Sequence, residues 1–368
     1  MVHLRARIEP KNLKEGTVHY IGVDYHKKYS YVVVKDRDGR VERRGTVNNT
    51  KEEFRQLLKP YQPGKAVLEA TRNWGLIYDW LEEILDDVAL VHPLKVRAIA
   101  EARIKTDKIS ADILCDLLRS NLLPEAYVPS KETREAKDIL RQRMFFVRVQ
   151  TMVKNRIHDI LDRHPELLSQ APAVSDLFGA SGMAWLKRVV LPGRDNQLLT
   201  PQLELLEVLK QKISESNGIV KDLARRDKRV KLLRSIPGLG PFFSVLVAKE
   251  IDDISRFRGD KKLCAYAGLV PSTYASGGKV FHGRITKTGN KWLRWTFIEA
   301  VQPAIRCDAD LFAYHERIKM KKGANAAKVA TARRLLTIAY RVLSQGRFYE
   351  RRNRKARRDL APAALASP

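Results

Sequence analysis

Three carboxylates stand where a side chain could do chemistry on phosphate. Asp24 closes the strand-like run Tyr20-Ile-Gly-Val-Asp24, Glu69 closes the apolar run Ala66-Val-Leu-Glu69, and Asp107 opens a helix-like segment. Two carboxylates at strand ends and a third on a later helix can hold two divalent ions, Mg²⁺ or Mn²⁺, against a scissile phosphate. Each position also has an ordinary use: Asp24 in a turn, Glu69 as a helix cap and Asp107 as an N-cap.

A second set of candidates lies beyond residue 230. Ile236-Pro-Gly238-Leu-Gly240 falls between two helical patterns, as in a helix-hairpin-helix turn. There, glycine lets backbone N–H groups approach a phosphate, and the next helix N-terminus adds partial positive charge. A tight helix–helix turn needs glycine in any case. Further on, Ser276-Gly277-Gly278 reads as an exposed flexible loop, followed closely by Lys279, Arg284, Lys287, Lys291 and Arg294. A serine hydroxyl can attack phosphorus if it is held in place and cations offset the charge developing on the phosphoryl oxygens. An ordinary turn flanked by phosphate-binding residues has the same composition.

The elements that must position these residues follow from pattern and charge. With 69 lysines and arginines against 42 aspartates and glutamates, the 368-residue chain carries a formal charge of +27, which suits a polyanion partner. No apolar run reaches the ~18 residues of a membrane span, the first residues lack a signal-peptide core, and the expectation is a cytoplasmic, nucleoid-associated protein. Cys115, Cys264 and Cys307 are scattered without metal or disulfide spacing, which predicts three small core residues. After an N-terminal extension (1–17), residues 18–129 alternate β-type and helical patterns, including a hairpin through Tyr29–Val34 and an Asp38-Gly39 turn. Residues 130–231 carry apolar side chains at three- and four-residue spacing over Lys131–His158 and Leu203–Leu233. This pattern suits two arms of an antiparallel helical hairpin or part of a core bundle. A glycine- and aromatic-rich region (232–346) and a basic tail (347–368) complete the chain.

Several of these segments together resemble one family. Tyr-Ile-Gly-Val-Asp24-Tyr-His-Lys, Leu-Glu69-Ala-Thr, Lys105-Thr-Asp107-Lys, Ile-Pro-Gly-Leu-Gly and Ala-Tyr-Ala-Gly-Leu-Val-Pro…Ser276-Gly…Lys-Thr-Gly-Asn…Leu-Arg occur in the order found in DEDD-type insertion-sequence transposases, also called bridge-RNA-guided recombinases. The resemblance implies an α/β RuvC-like (ribonuclease-H-like) N-terminal domain, a helical coiled-coil insertion, and a mostly α transposase domain with a helix-hairpin-helix element and a nucleophilic serine. By position, Asp24, Glu69 and Asp107 match the first three acidic residues and Ser276 the serine. The fourth acidic place, one helical turn after Asp107, holds Ser110. Asp112 is the nearest acidic substitute, although five residues advance an ideal helix by about 500°, some 140° around from Asp107. Three readings are open: the helix is irregular at its start, Ser110 acts through a metal-bound water, or a shifted register brings Asp112 in. Asp112 is taken as the fourth ligand, and if none of these holds the site is weakened or runs with three carboxylates.

The resemblance further implies Mg²⁺ or Mn²⁺ as cofactor, a structured guide (bridge) RNA, and donor and target double-stranded DNA as partners. It implies a homo-oligomer, a tetramer built from dimers, in which the acidic site of one subunit meets the serine of another. Two other classes fit the residues: a Holliday-junction-resolvase-like nuclease that uses water as nucleophile, and a non-catalytic RNA-binding protein that needs only the basic surface.

Overall fold

The computed structural model describes residues 18–100, 106–276 and 279–351, with the backbone alone at 274–276, 279, 280 and 282. The N-terminal extension, Lys105, Gly277, Gly278 and most of the basic tail lie outside the described residues. The chain forms two compact units, one ending at Val128 and the other beginning at Pro129.

The first unit is built on a five-stranded mixed sheet. Its strands are β1 (His19–Tyr25), β2 (Tyr29–Lys35), β3 (Val41–Asn48), β4 (Gly64–Glu69) and β5 (Asp87–Val91), in the order β3-β2-β1-β4-β5. The β1–β2 and β2–β3 pairs are antiparallel, whereas β1–β4 and β4–β5 are parallel. The Asp38-Gly39 turn falls between β2 and β3, with Gly39 at φ 86°, where glycine has no steric cost. The helices are α1 (Lys51–Leu58), α2 (Trp74–Ile84), α3 (Pro93–Ile99) and α4 (Asp107–Arg119). One core cluster joins Ile21, Val23 and Leu68 of the sheet to Phe54 of α1 and Ile77 and Leu81 of α2. Ala111 and Cys115 of α4 pack with Val33 in a separate cluster. This mixed sheet with its helices is compatible with the RuvC-like domain that the resemblance implies.

The second unit is helical apart from one hairpin. It comprises α5 (Lys131–Leu161), α6 (Pro165–Leu168), α7 (Ala180–Leu186), α8 (Asp195–Arg226), α9 (Lys228–Arg234), α10 (Pro241–Ile251) and α11 (Asp260–Tyr266). The strands β6 (Pro271–Ser276) and β7 (Lys279–Ile285) follow, then α12 (Lys291–Cys307), α13 (Ala309–Lys322) and α14 (Ala324–Gln345). The long helices α5 and α8 run antiparallel, since Arg143 Nε donates to Asn217 Oδ1 at 2.7 Å near one end and Arg163 Nη1 to Asp195 Oδ1 at 3.0 Å at the other. Their far end has its own core, with Ile157, Ile160 and Leu161 packed with Leu203 and Leu206 and with Phe178 and Leu186 of the intervening segment. Their near end contributes Leu140, Met144 and Val220 to the main core, which also takes Leu233, Val245, Leu263, Phe297 and Leu335. That shared core is why residues 130–231 and 232–346, distinct in composition, fall within one compact unit. Of the three cysteines, Cys115 and Cys264 are buried, but Cys307 at the end of α12 is exposed. Burial pushes the Cys115 thiol up to about 12 and leaves it inert.

Candidate active site

The first unit gathers its acidic residues by packing α4 directly on β1. Gly22, one residue into the Ile-Gly-Val-Asp motif, makes this possible: a Cβ there would lie 2.0 Å from the carbonyl oxygen of Ala111 and 2.8 Å from the backbone nitrogen of Cys115. Any side chain at 22 would push the helix off the strand. Thr106 caps α4, its hydroxyl accepting from Ile109 N, and Ser110 N donates to the carbonyl of Thr106 at 2.9 Å, so the helix starts regularly at Asp107.

Asp24, His26 and Asp107 converge, with one ligand atom from each lying within 4.8 Å of the other two. His26 Nε2 is 3.1 Å from Asp107 Oδ1 and 3.5 Å from Asp24 Oδ2. Tyr29 donates its phenol to Asp107 Oδ2 at 2.9 Å. That hydrogen bond, with the charges of Asp107 and Asp24, raises the phenol above its ordinary value. Glu69 ends β4, the parallel neighbour of β1 in which Leu68 pairs with Val23, and is not in the three-residue group. His26 is the residue that sequence reasoning missed. Its signal was the two-residue offset from Asp24 beyond the end of a strand, where a tight reversal can turn a side chain back toward the strand end.

Asp112 is not brought to this group. Its Oδ1 lies 3.2 Å from Lys35 Nζ and 3.8 Å from Arg44, and Asp116 Oδ2 lies 2.8 Å from the same ammonium. Burial alone would lower the Lys35 ammonium, but hydrogen bonds to Asp116 and Asp112 hold it above its ordinary value. Lys35 pairs with Tyr20 at the opposite end of β1 from Asp24, which pairs with Tyr31. Four residues of strand amount to about 13 Å. The regular start of α4 removes the register shift that would have turned Asp112 toward Asp107, and Ser110, half-buried, stands one turn along the helix.

In the second unit, the glycine-rich motifs interlock. A Cβ on Gly289 (φ 96°) would lie 2.2 Å from the carbonyl oxygen of Tyr266, and one on Gly268 (φ 66°) 2.3 Å from that of Thr288. Asn290 caps α12, its Oδ1 accepting from Trp292 N and Leu293 N at 3.0 Å, while its own backbone N–H donates to Tyr266 O at 2.7 Å. Arg294 Nη1 donates to Ala267 O at 2.9 Å, which ties one arm of this half-buried guanidinium into the clasp. The clasp holds the base of the β6–β7 hairpin. Ser276, expected in a loop, is the last residue of β6 and pairs with Lys279 across the Gly277-Gly278 link. Ser272, by contrast, donates its hydroxyl across the hairpin to Arg284 O at 3.1 Å. Arg284, Lys287 and Lys291 are exposed.

The expected phosphate-binding glycines differ from one another. Gly238 has φ 86° and sits under α12, where a Cβ would meet the carbonyl oxygen of Ala300 at 2.3 Å, so packing requires it. Gly240 is exposed and precedes α10, and a Cβ placed on it would meet nothing within 4 Å.

A mixed α/β unit with clustered acidic residues, followed by a helical unit, is compatible with an enzyme class that works on nucleic-acid phosphodiesters. A DEDD-type transposase family model matches residues 21–165, and the family described as "Transposase IS116/IS110/IS902 family" matches residues 230–316. The chain belongs to the DEDD-type insertion-sequence transposases of the IS110 group, enzymes that act on DNA. It is 24% identical over 336 residues to a "Probable family 20 transposase" of Pseudomonas aeruginosa, covering 89% of this chain and 98% of that one. It is 23% identical over 356 residues, 90% and 98% of the two chains, to the "Transposase for insertion sequence element IS1328" of Yersinia enterocolitica. It is also 23% identical over 266 residues, 71% and 72% of the two chains, to the transposase for IS1111A of Coxiella burnetii. Among the described residues, no helix is long and apolar enough to cross a membrane.

Proposed function

We propose that this transposase cuts and rejoins DNA through Ser276, with a divalent ion at the acidic site and a structured guide RNA selecting donor and target. The observation that supports the serine is its place at the end of β6, on a hairpin whose base is clasped by Gly268, Gly289 and Asn290. A strand pair clamped at its base fixes the backbone that carries the serine, as positioning for nucleophilic attack requires. Arg284, Lys287 and Lys291 hold the phosphates flanking the cut. The Ser276 oxygen attacks phosphorus and displaces the DNA 3′-oxygen. The freed 3′-hydroxyl of a partner strand later attacks the phosphoserine ester and releases the serine, so no nucleotide cofactor is consumed.

The donor set suits a divalent cation: carboxylates from Asp24 and Asp107, an imidazole from His26, and Glu69 at the adjoining strand end. Such an ion, Mg²⁺ or Mn²⁺, would offset charge on the phosphoryl oxygens. Asp107 is held for this role at Oδ2 by the Tyr29 phenol, while its Oδ1 faces His26. The RNA guide and a tetrameric assembly rest on the resemblance and on the +27 charge.

A second reading uses water as the nucleophile, and the convergence of Asp24, His26 and Asp107 within the first unit alone favours it. One experiment separates the two. With matched guide RNA, donor, target and Mg²⁺, the wild-type protein should form a protease-sensitive covalent adduct with a DNA end on a denaturing gel. Ser276→Ala should abolish the adduct and recombination while keeping nucleic-acid binding. Cleavage with no adduct in the wild type would establish the water-dependent reading.

A further inference from the structure

Where the resemblance implies a fourth carboxylate the chain has Ser110, and His26 stands in the same group as Asp24 and Asp107. One turn along α4 from Asp107 stands Ser110, which brings no charge, and Asp112 is held by Lys35. Into the same site from β1 comes an imidazole whose Nε2 is shielded from solvent and makes no hydrogen bond of proper geometry to either flanking carboxylate. The ring lies between Asp24 and Asp107 rather than donating squarely to one.

The spacing fits shared coordination. Donor atoms about 2.1 Å from one small cation stand about 3.0 Å apart on an octahedral edge and about 3.4 Å apart on a tetrahedral one. The observed 3.1 and 3.5 Å match those edges. The imidazole is also placed in advance. The His26 N–H donates to Tyr29 O at 3.0 Å, and its carbonyl accepts from Asn49 Nδ2 at 2.6 Å. Asn49 Oδ1 in turn accepts from the buried Ser30 hydroxyl at 2.7 Å, and the His26 ring lies against Tyr29 with centroids 5.3 Å apart.

We infer that His26 is a metal ligand through Nε2, replacing the fourth carboxylate, and that this nitrogen biases the site toward Mn²⁺ over Mg²⁺. The inference rests on the reading of Asp24 and Asp107 as ligands. Its chemistry is the donor set: Mg²⁺ favours oxygen and parts with water reluctantly, while imidazole suits first-row transition ions, of which Mn²⁺ also accepts carboxylates. A neutral nitrogen in place of an anionic oxygen removes charge that Mg²⁺ binding depends on and leaves an interaction that Mn²⁺ uses better.

The test is spectroscopic and independent of turnover. Tag-free, chelator-treated full-length protein is titrated with Mn²⁺ alone and examined by pulsed electron paramagnetic resonance. Wild type should show ¹⁴N coupling that becomes ¹⁵N coupling when the protein is labelled with ¹⁵N-histidine. Mn²⁺ should bind at least tenfold more tightly than Mg²⁺ in competition. His26→Asn should lose the nitrogen coupling and weaken Mn²⁺ about tenfold or more, while Mg²⁺ affinity changes less. Bound Mn²⁺ without nitrogen coupling in the wild type would overturn the inference and make His26 a counterion for the two carboxylates, with the metal reading intact. Loss of Mn²⁺ binding in Asp107→Ala alongside that result would confirm that the ion had been in this site. Failure of wild type to bind Mn²⁺ at all would overturn both the inference and the metal reading. The isotope comparison uses only wild-type protein, so a misfolded variant does not blunt it.

Discussion

Asn290 should be the most costly single residue of the clasp beneath the serine hairpin. Asn290→Ala removes two backbone caps at the start of α12 and the donation from Nδ2 to Glu250 Oε2 at 2.8 Å. Losing an N-cap costs about 1 kcal/mol. Losing a hydrogen bond to a buried charged group costs about 1.5–3 kcal/mol. Glu250, with its side chain 2% exposed, keeps Arg141 at 3.2 Å and Lys137 at 3.6 Å, which places the second loss at the low end. The expected total is therefore about 2–2.5 kcal/mol, at or below full additivity because one side chain makes both sets of bonds. In urea, with an m of about 2–3 kcal/mol per M, the tryptophan-fluorescence midpoint should fall by roughly 0.7–1.2 M. Trp292 and Trp295 lie on α12 itself and report on this region. Asn290→Asp is the sharper variant. It keeps an excellent cap but sets a second carboxylate against buried Glu250, a repulsion of about 4 kcal/mol at 4 Å and an effective dielectric of 20 before Arg141 and Lys137 offset it. Aspartate should therefore be no better than alanine, the reverse of its rank at an ordinary N-cap. An aspartate variant close to wild type, or an alanine variant within about 0.5 kcal/mol of it, which is the typical spread for a neutral surface change, would refute the clasp.

Two pairs of variants test the glycine turn and the acidic site. Gly238→Ala should destabilise the fold by about 2 kcal/mol or more, since it combines a positive φ with a 2.3 Å clash against the carbonyl of Ala300. Gly240→Ala, with open space around it, should melt like wild type, so any loss of nucleic-acid affinity in that variant measures a backbone phosphate contact. Asp112→Ala should leave Mn²⁺ affinity by calorimetry unchanged while lowering thermal stability, because it strips one partner from a lysine that is 4% exposed. Asp107→Ala should do the opposite, and equal losses of metal in both variants would contradict the separation of the two sites.

The sequence by itself determined most of the elements. Strand-like and apolar runs placed the strands that carry Asp24 and Glu69, the Asp38-Gly39 turn marked the β2–β3 reversal, and three- and four-residue spacing marked α5 and α8, because local periodicity and turn residues are short-range properties. Motif order was enough to indicate the transposase family. What the sequence could not decide was which side chains meet. Asp112 and His26 are both near acidic positions in the chain, yet Lys35, seventy-seven residues before Asp112 in sequence, claims the first, while the β1–β2 reversal returns the second to Asp24. That outcome depends on α4 lying flat on β1 over Gly22, a contact between residues about ninety apart. In the same way, the Ala-Tyr-Ala-Gly and Lys-Thr-Gly-Asn motifs stand apart in the sequence, but their glycines are the two halves of one clasp. Their lack of a Cβ serves close backbone packing, which only the tertiary fold, by choosing the facing carbonyl, could specify.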